Sequence, residues 1–221
     1  MNVLIVGGTS GLGLELARKF SENNDKVVVT GRHNPNIDHV DYMPLDLSAE
    51  PLADKIKTFV EHYSPNVDVL VYAAGFYQEG TITNLSEEEI EEMINVCGRG
   101  LIYFCKYILA KQNKLDELIV ITSSATWKLQ RLEPIYSFMK AGEGHFANTL
   151  AEDGRISKVL VAAPSGTKTQ FWRHQKHPEY EKFLDPKWVT EQIMTSRDGK
   201  YRYKHIKMFR NPAKLEVAET R

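Results

Sequence analysis

The sequence predicts a doubly wound α/β fold, a largely parallel sheet with helices on both faces. Three observations carry that prediction. Short, nearly continuous apolar runs recur, as in "NVLIV", "KVVVT" and "LIVIT". Strands of that kind are buried on both sides, which happens in a parallel sheet covered by helices. Longer amphipathic segments alternate with these runs, giving the strand–helix order that parallel pairing requires. A glycine-rich turn, "VGGTSGLG", joins the first run to the first helix.

In chain order, strands are expected at Asn2–Val6, Lys26–Thr30, Val40–Leu45, Asp68–Ala73, Leu118–Ser123 and Ser157–Ala162. Helices are expected near 11–23, 50–63, 86–113, 134–153 and 169–196. The last should break at Pro178 and Pro186, because proline has no amide hydrogen to donate. Ser86 and Glu89 have capping-box spacing, and the acids at 87–89 suit the positive end of a helix dipole. Between the second and third strands, "GRHNPNIDH" is too short for a crossover helix, so pairing there needs a tight, irregular connection. The basic tail segment "YRYKHIKMF" reads as a half-exposed edge strand whose lysines discourage unwanted pairing. A chain of 221 residues suits one domain spanning 1–221, with a substrate lid near 170–196.

Composition excludes several functions. A formal net charge of −1 gives no electrostatic basis for binding nucleic acid or an anionic membrane. No apolar run approaches a membrane span, and the first strand starts at once, leaving no room for a signal peptide. Cys97 and Cys105, the only cysteines, fall in a predicted helix at a spacing that suits neither zinc nor a disulfide framework. No metal site and a reducing, cytoplasmic location are therefore expected.

Two motifs carry chemistry. Gly7, Gly11 and Gly13 are spaced so that the backbone turns sharply and a pyrophosphate can approach a helix N-terminus, as in a dinucleotide site. The second strand ends "VVVTGRH", with Gly31 where an acid would bind free ribose hydroxyls and Arg32 beside it. A guanidinium matches a 2′-phosphate, so NADP(H) is expected in preference to NAD(H). Asp46 is placed to meet an adenine edge or to cap the next helix. The second motif is "YSFMK", which sets Tyr136 and Lys140 one helical turn apart. An ammonium beside a phenol lowers its pKa and makes a proton donor for carbonyl chemistry. Tyr107/Lys111 and Tyr203/Lys207 share this spacing, so context must decide.

Together these motifs resemble the short-chain dehydrogenase/reductase family over roughly residues 2 to 170. "YAAG" (Tyr72–Gly75) is similar to that family's "NAAG/NNAG" element, "INVCGRG" supplies Asn95, and "ITSS" matches the strand that ends in its catalytic serine. Ser123 lies thirteen residues before Tyr136, the family's arrangement, and neither other Tyr/Lys pair has such a serine.

The resemblance implies a Rossmann-type fold and NADP(H)-dependent interconversion of a carbonyl and an alcohol. Tyr136 would donate the proton, and Lys140 would hold the nicotinamide ribose and favour phenolate. Ser123 would fix the substrate oxygen, and Asn95 would hold a relay water. Cofactor contacts are implied for Gly7, Thr9, Ser10, Gly11, Leu12, Gly13, Arg32, Asp46, Ala74, Gly75, Tyr136, Lys140, Pro164 and Thr169. The substrate would be small and apolar or aromatic, walled by Phe76–Glu79, Trp127–Leu132 and "TQFWRHQKHPEY", with "FWRHQKH" as a lid.

Two departures stand out: Tyr72 replaces the usual asparagine, and "APSGTKT" puts Ser165 where the family has glycine. The C-terminus lacks the glycine-rich final strand, so family-type tetramers are not expected. A homodimer through the helix at 86–113 and the Tyr136 helix is expected by analogy. Two rival readings remain. One is a non-catalytic NADPH-binding sensor or scaffold. The other is an epimerase or dehydratase of the extended branch, for which the chain has little room.

Overall fold

The computed structural model describes residues 1–63, 66–172 and 177–221. Its strands are β1 (Asn2–Val6), β2 (Lys26–Gly31), β3 (Val40–Pro44), β4 (Val69–Tyr72), β5 (Leu115–Ile121), β6 (Ile156–Pro164), β7 (Tyr203–Phe209) and β8 (Lys214–Thr220). The α-helices are α1 (Gly11–Glu22), α2 (Leu52–His62), α3 (Glu87–Met93), α4 (Gly100–Gln112), α5 (Pro134–Leu150) and α6 (Pro186–Ser196). The strands form one sheet in the order β3-β2-β1-β4-β5-β6-β7-β8, parallel except for β8.

Alternation along each central strand sends successive side chains to opposite faces and so divides the core in two. Leu4, Val6, Leu70, Tyr72, Leu118 and Val120 pack with Ile56, Phe59, Phe104 and Ile108 of α2 and α4. Val3, Ile5, Val69, Val71, Ile119 and Ile121 pack with Leu16 and Phe20 of α1 and with Val189 and Ile193 of α6. The chain leaves β1 first to one side and then, through β4, to the other. The strand order therefore reverses between β1 and β4, which opens a crevice at their carboxyl ends.

The short connection between β2 and β3 contains no helix. It turns with Asn36 and His39 in the left-handed region, at φ 49° and 61°. The expected edge strand is corrected: β7 is interior, paired to β6 on one side and to β8 on the other, with Ile206 and Met208 fully buried. The edge is β8, which the sequence pattern does not announce. The expected helix at 86–113 is α3 and α4 joined by a π-helical turn, Ile94–Arg99. Among the described residues, the expected helix at 169–196 has short 3-10 turns at Gln170–Trp172 and Tyr180–Lys182 and is α-helical only as α6. There Pro186 occupies the first turn, where its missing amide costs nothing, and Asp185 caps the amides of Lys187 (2.7 Å) and Trp188 (3.3 Å). Of the expected lid, Arg173 to Lys176 lie outside the described residues.

The capping box forms as expected. Ser86 Oγ accepts from the Glu89 amide at 3.2 Å, and Glu89 Oε2 accepts from the Ser86 amide at 2.9 Å. Ser86→Ala should cost about 1 kcal/mol of stability. A lower urea midpoint at unchanged slope would show this, whereas an unchanged midpoint would mean that the cap contributes nothing in solution.

Candidate active site

The nucleotide end of the crevice is built by the β1–α1 turn. The amides of Gly7 and Gly8 both donate to Thr30 O at 3.1 Å, which ties the turn to the end of β2. Gly7 has φ 80°, and a Cβ at Gly13 would lie 2.2 Å from the Gly7 carbonyl oxygen, so only glycine permits this close crossing. Ser10 is the N-cap of α1 but makes no side-chain cap bond, and the first turn carries no acid. The first amides of α1 are thus left for an anion. Thr169 stands across from Gly11, its Cβ 3.6 Å from where a Gly11 Cβ would be. Thr9, Ser10, Gly11, Lys168, Thr169 and Trp172 are among the residues lining the open cleft of about 860 Å³ between them. These features fit a dinucleotide's phosphates. Leu12 packs on the α1 face of the core, Ala74 is buried beyond β4, and Pro164 ends β6 in register with Met208.

Gly31 is required by its neighbour. A Cβ there would fall 2.2 Å from Thr9 Oγ1 and 3.0 Å from Thr9 Cβ, so no acid can be placed at that position without displacing Thr9. Arg32 is exposed beside it. Asp46 accepts from the Ser48 amide at 3.0 Å and from its hydroxyl at 2.7 Å. Partial burial opposes its charge, but those hydrogen bonds and Arg32 outweigh it and hold the carboxyl below its ordinary range.

The large cleft is not lined by Tyr136, Lys140 or Ser123. These gather deeper, where α5 passes under the end of β5. Tyr136 and Lys140 are both buried, 7% and 4% exposed. Lys140 Nζ donates to Glu143 Oε2 at 2.9 Å and to Ile121 O at 3.2 Å, and lies 6.0 Å from the centre of the Tyr136 ring. A Cβ at Gly75 would come within 3.2 Å of Nζ, so the end of β4 runs directly against the ammonium. Ser123 begins the tight turn after β5, its Oγ accepting from the Ala125 amide at 3.1 Å. Burial pushes the Tyr136 phenol up to about 12, against the opposing pull of Lys140 and of the Ser123 hydroxyl. In the protein alone, then, desolvation outweighs the lowering by lysine that the spacing suggests. Burial also works against charge on Lys140, but Glu143, Cys97 and Tyr136 together hold its pKa above the ordinary value.

Asn95 lies buried in the π-helical turn, and its side-chain bonds go to Arg99 and Ser48 instead of to Tyr136, Lys140 or Ser123. Its Oδ1 accepts from Arg99 at 2.8 Å, and its Nδ2 donates to Ser48 O at 3.5 Å. Tyr72 explains the turn. Its fully buried hydroxyl donates to the Val96 carbonyl, and a Cβ at Gly100 would sit 2.2 Å from the Tyr72 hydroxyl oxygen. The residue that departs from the family motif thus satisfies a backbone group that the wide turn leaves free.

The face above Tyr136 is aromatic. Tyr77 and Phe171 lie 6.3 and 6.1 Å from its ring, and Tyr77 packs 4.6 Å from Trp172. Tyr77 also donates to Glu133 at 3.1 Å, and the Gly80 amide to Leu132 O at 2.8 Å, so two of the expected walls meet. Trp127 turns away onto Phe209 and Lys207 of β7. Bridge pairing of Thr167 with Leu184 closes the base of the intervening segment. Among the described residues, no cluster of His, Cys, Asp and Glu could hold a metal, and no helix is long and apolar enough to cross a membrane.

A family model described as short chain dehydrogenase matches residues 1–179. The chain belongs to the short-chain dehydrogenase/reductase family. Among its relatives is the 3-oxoacyl-(acyl-carrier-protein) reductase MabA of Mycobacterium tuberculosis, 28% identical over 165 residues. That match covers 73% of this chain and 66% of MabA, slightly under two thirds of its length. An uncharacterized oxidoreductase of Staphylococcus aureus, SA2266, is 24% identical over 203 residues, 86% of this chain and 88% of that protein. Among solved structures, the closed form of serine dehydrogenase complexed with NADP+ superposes with a TM-score of 0.80 at 23% identity, covering 93% of this chain and 94% of that one. A short-chain dehydrogenase from Sphingobium yanoikuyae in complex with NADPH gives 0.79 at 18%, covering 88% and 83%. These two likenesses show the fold. Family membership makes the chain a member of an oxidoreductase family that binds a nicotinamide cofactor.

Glu143 is not among the residues that the sequence motifs single out. The available signal is its place three residues after Lys140, on the same helix face and one turn deeper. Both Tyr72→Phe and Gly100→Ala should destabilise the fold by about 1–3 kcal/mol, the first by orphaning a carbonyl and the second by overpacking. Urea unfolding checks both, and no loss in either would contradict the proposed role of the Tyr72 hydroxyl.

Proposed function

We propose that this protein is an NADP(H)-dependent reductase that interconverts a small carbonyl compound and its alcohol. The observation that carries this reading is the buried Tyr136–Lys140 pair, set beside Ser123 and against Gly75 at the carboxyl ends of β4 and β5. A proton donor there lies next to the end of a crevice that fits a dinucleotide. Bound NADPH would supply the hydride. Tyr136 gives its phenolic proton to the substrate oxygen, and Ser123 orients that oxygen by hydrogen bond. Lys140 balances the phenolate left behind and binds the cofactor's ribose. Asn95, whose amide also meets Ser48 and Arg99, holds a water that relays protons towards Lys140.

Thr9, Ser10, Gly11, Leu12 and Gly13 hold the phosphates with Thr169. Arg32 binds the 2′-phosphate, Asp46 lies by the adenine, and Ala74, Gly75 and Pro164 flank the nicotinamide. Tyr77, Phe171 and Trp172 support an apolar or aromatic substrate, and MabA, by its name a 3-oxoacyl reductase, supports a carbonyl one. Residues 1–221 act as one domain; of the lid expected near 170–196, α6 is instead a core helix through Val189 and Ile193, which leaves the part before Pro186 for that role. A reducing cytoplasm suits the free Cys97 and Cys105. Ile102 on α4 and Phe138 on α5, 44% and 71% exposed, support pairing of two copies through those helices.

Tyr136→Phe should abolish turnover while NADPH binding, followed by nicotinamide fluorescence, stays nearly unchanged. Undiminished turnover would refute the assignment. Arg32→Ala removes charge-assisted hydrogen bonds worth about 1.5–3 kcal/mol. NADPH affinity should therefore fall about ten- to hundredfold with NADH affinity unchanged, and equal effects on both would remove Arg32 from the 2′-phosphate site.

A further inference from the structure

Glu143 is buried one turn beyond Lys140, its side chain fully shielded and the lysine's 5% exposed. Its Oε2 takes the Lys140 ammonium at 2.9 Å. Its Oε1 is buried without a hydrogen-bond partner among the described residues. The titratable groups that face it are Lys140 and Tyr136 on its own helix, Tyr72 from β4, and Cys97 from the π-helical turn. From β5 the Ile121 carbonyl shares the same ammonium. Stability does not explain an acid here. A buried ion pair seldom outperforms well-packed apolar side chains, and Met139 and Ala147 of the same helix already pack as apolar groups. The placement makes chemical sense instead. The charge that lowers a phenol's pKa is that of Lys140, and a carboxylate on the far side of that ammonium opposes it.

We propose that Glu143 is a positioning residue of the proton relay, which anchors the Lys140 ammonium beneath Tyr136 and offsets part of its field at the phenol. The charge at position 143 then sets how readily Tyr136 releases its proton. This rests on the reading of Tyr136 as proton donor. In the reductive direction the phenolic O–H bond breaks and its proton passes to the substrate oxygen. The carbonyl carbon gains a hydride from the reduced nicotinamide, which is thereby oxidised. With Glu143 ionised, phenolate is less favoured and the donor stays loaded. With Glu143 protonated, the whole charge of Lys140 acts on the phenol. Burial raises the Glu143 carboxyl above its ordinary range, against the opposing effect of Lys140.

The test is Glu143→Gln, which keeps the shape and removes the charge. Phenolate absorbance of the cofactor-free protein is titrated with pH, and the same titration in a Tyr136→Phe background is subtracted to isolate Tyr136. The Tyr136 midpoint should move to lower pH. At a fixed pH below it the phenolate fraction then rises, about tenfold where the midpoint falls by a full pH unit. The rising limb of alcohol oxidation with NADP+ should move the same way. An unmoved midpoint, or one moved to higher pH, overturns the proposal even if activity falls, since loss of packing alone lowers the rate without moving the midpoint. If Glu143→Gln does not fold, Glu143→Asp is titrated instead; it draws the charge back by one methylene and should move the midpoint the same way by less. Should the wild-type protein turn over no carbonyl compound, the reductase reading fails, while the titration still decides the coupling of Glu143 to Tyr136.

Discussion

An ammonium buried in a protein must find compensating charge and hydrogen bonds, and at Lys140 that requirement organises the surroundings. Glu143 and the Ile121 carbonyl accept from it, while Gly75 leaves the space it occupies. Because Ile121 ends β5 and Gly75 follows β4, the lysine joins α5 to the two central strands on one side of the topological switch point. Tyr136, one turn earlier on α5, is thereby fixed over the same strand ends, with Ser123 arriving from β5. If α5 slid by one residue, the bond from Lys140 to the Ile121 carbonyl and the phenol's position would be lost together.

The nucleotide end depends on a different constraint, the approach of backbone to backbone. Gly7 and Gly13 cross too closely for side chains, and Thr9 fills the place where a side chain at Gly31 would begin. The phosphate end and the proton end are therefore built from separate parts of the chain, the first from β1–α1 with the segment after β6, the second from β4–β5 with α5. The parallel sheet brings them to one edge. Tyr72 links the second set to the π-helical turn. By donating to Val96 it stabilises the bend that brings Cys97 close to Gly75 and Lys140.

Much of this is legible in the sequence because the determining signals are local. The central strands announce themselves by continuous apolar runs, the glycine turn by its spacing, and α3 by Ser86 and Glu89. Elements whose cause is tertiary are not legible. Strand β8 is mostly exposed and shows no buried face to read, yet it covers β7 and displaces it from the edge. The π-helical turn has no periodic signature, since its cause is a hydroxyl reaching in from another strand. Glu143 looks like an ordinary polar helix residue until packing shows it fully enclosed. The phenol's behaviour is hidden for the same reason: spacing reveals the lysine one turn away but not the desolvation that opposes it.

The central claim is that the crevice at the β1/β4 switch point receives a nicotinamide dinucleotide with its phosphorylated ribose at Arg32. Equilibrium titration of the purified, cofactor-free protein with NADPH and with NADH, followed by nicotinamide fluorescence, tests it most directly. Saturable binding of both is expected, tighter for NADPH. Binding of neither, or tighter binding of NADH, would contradict it.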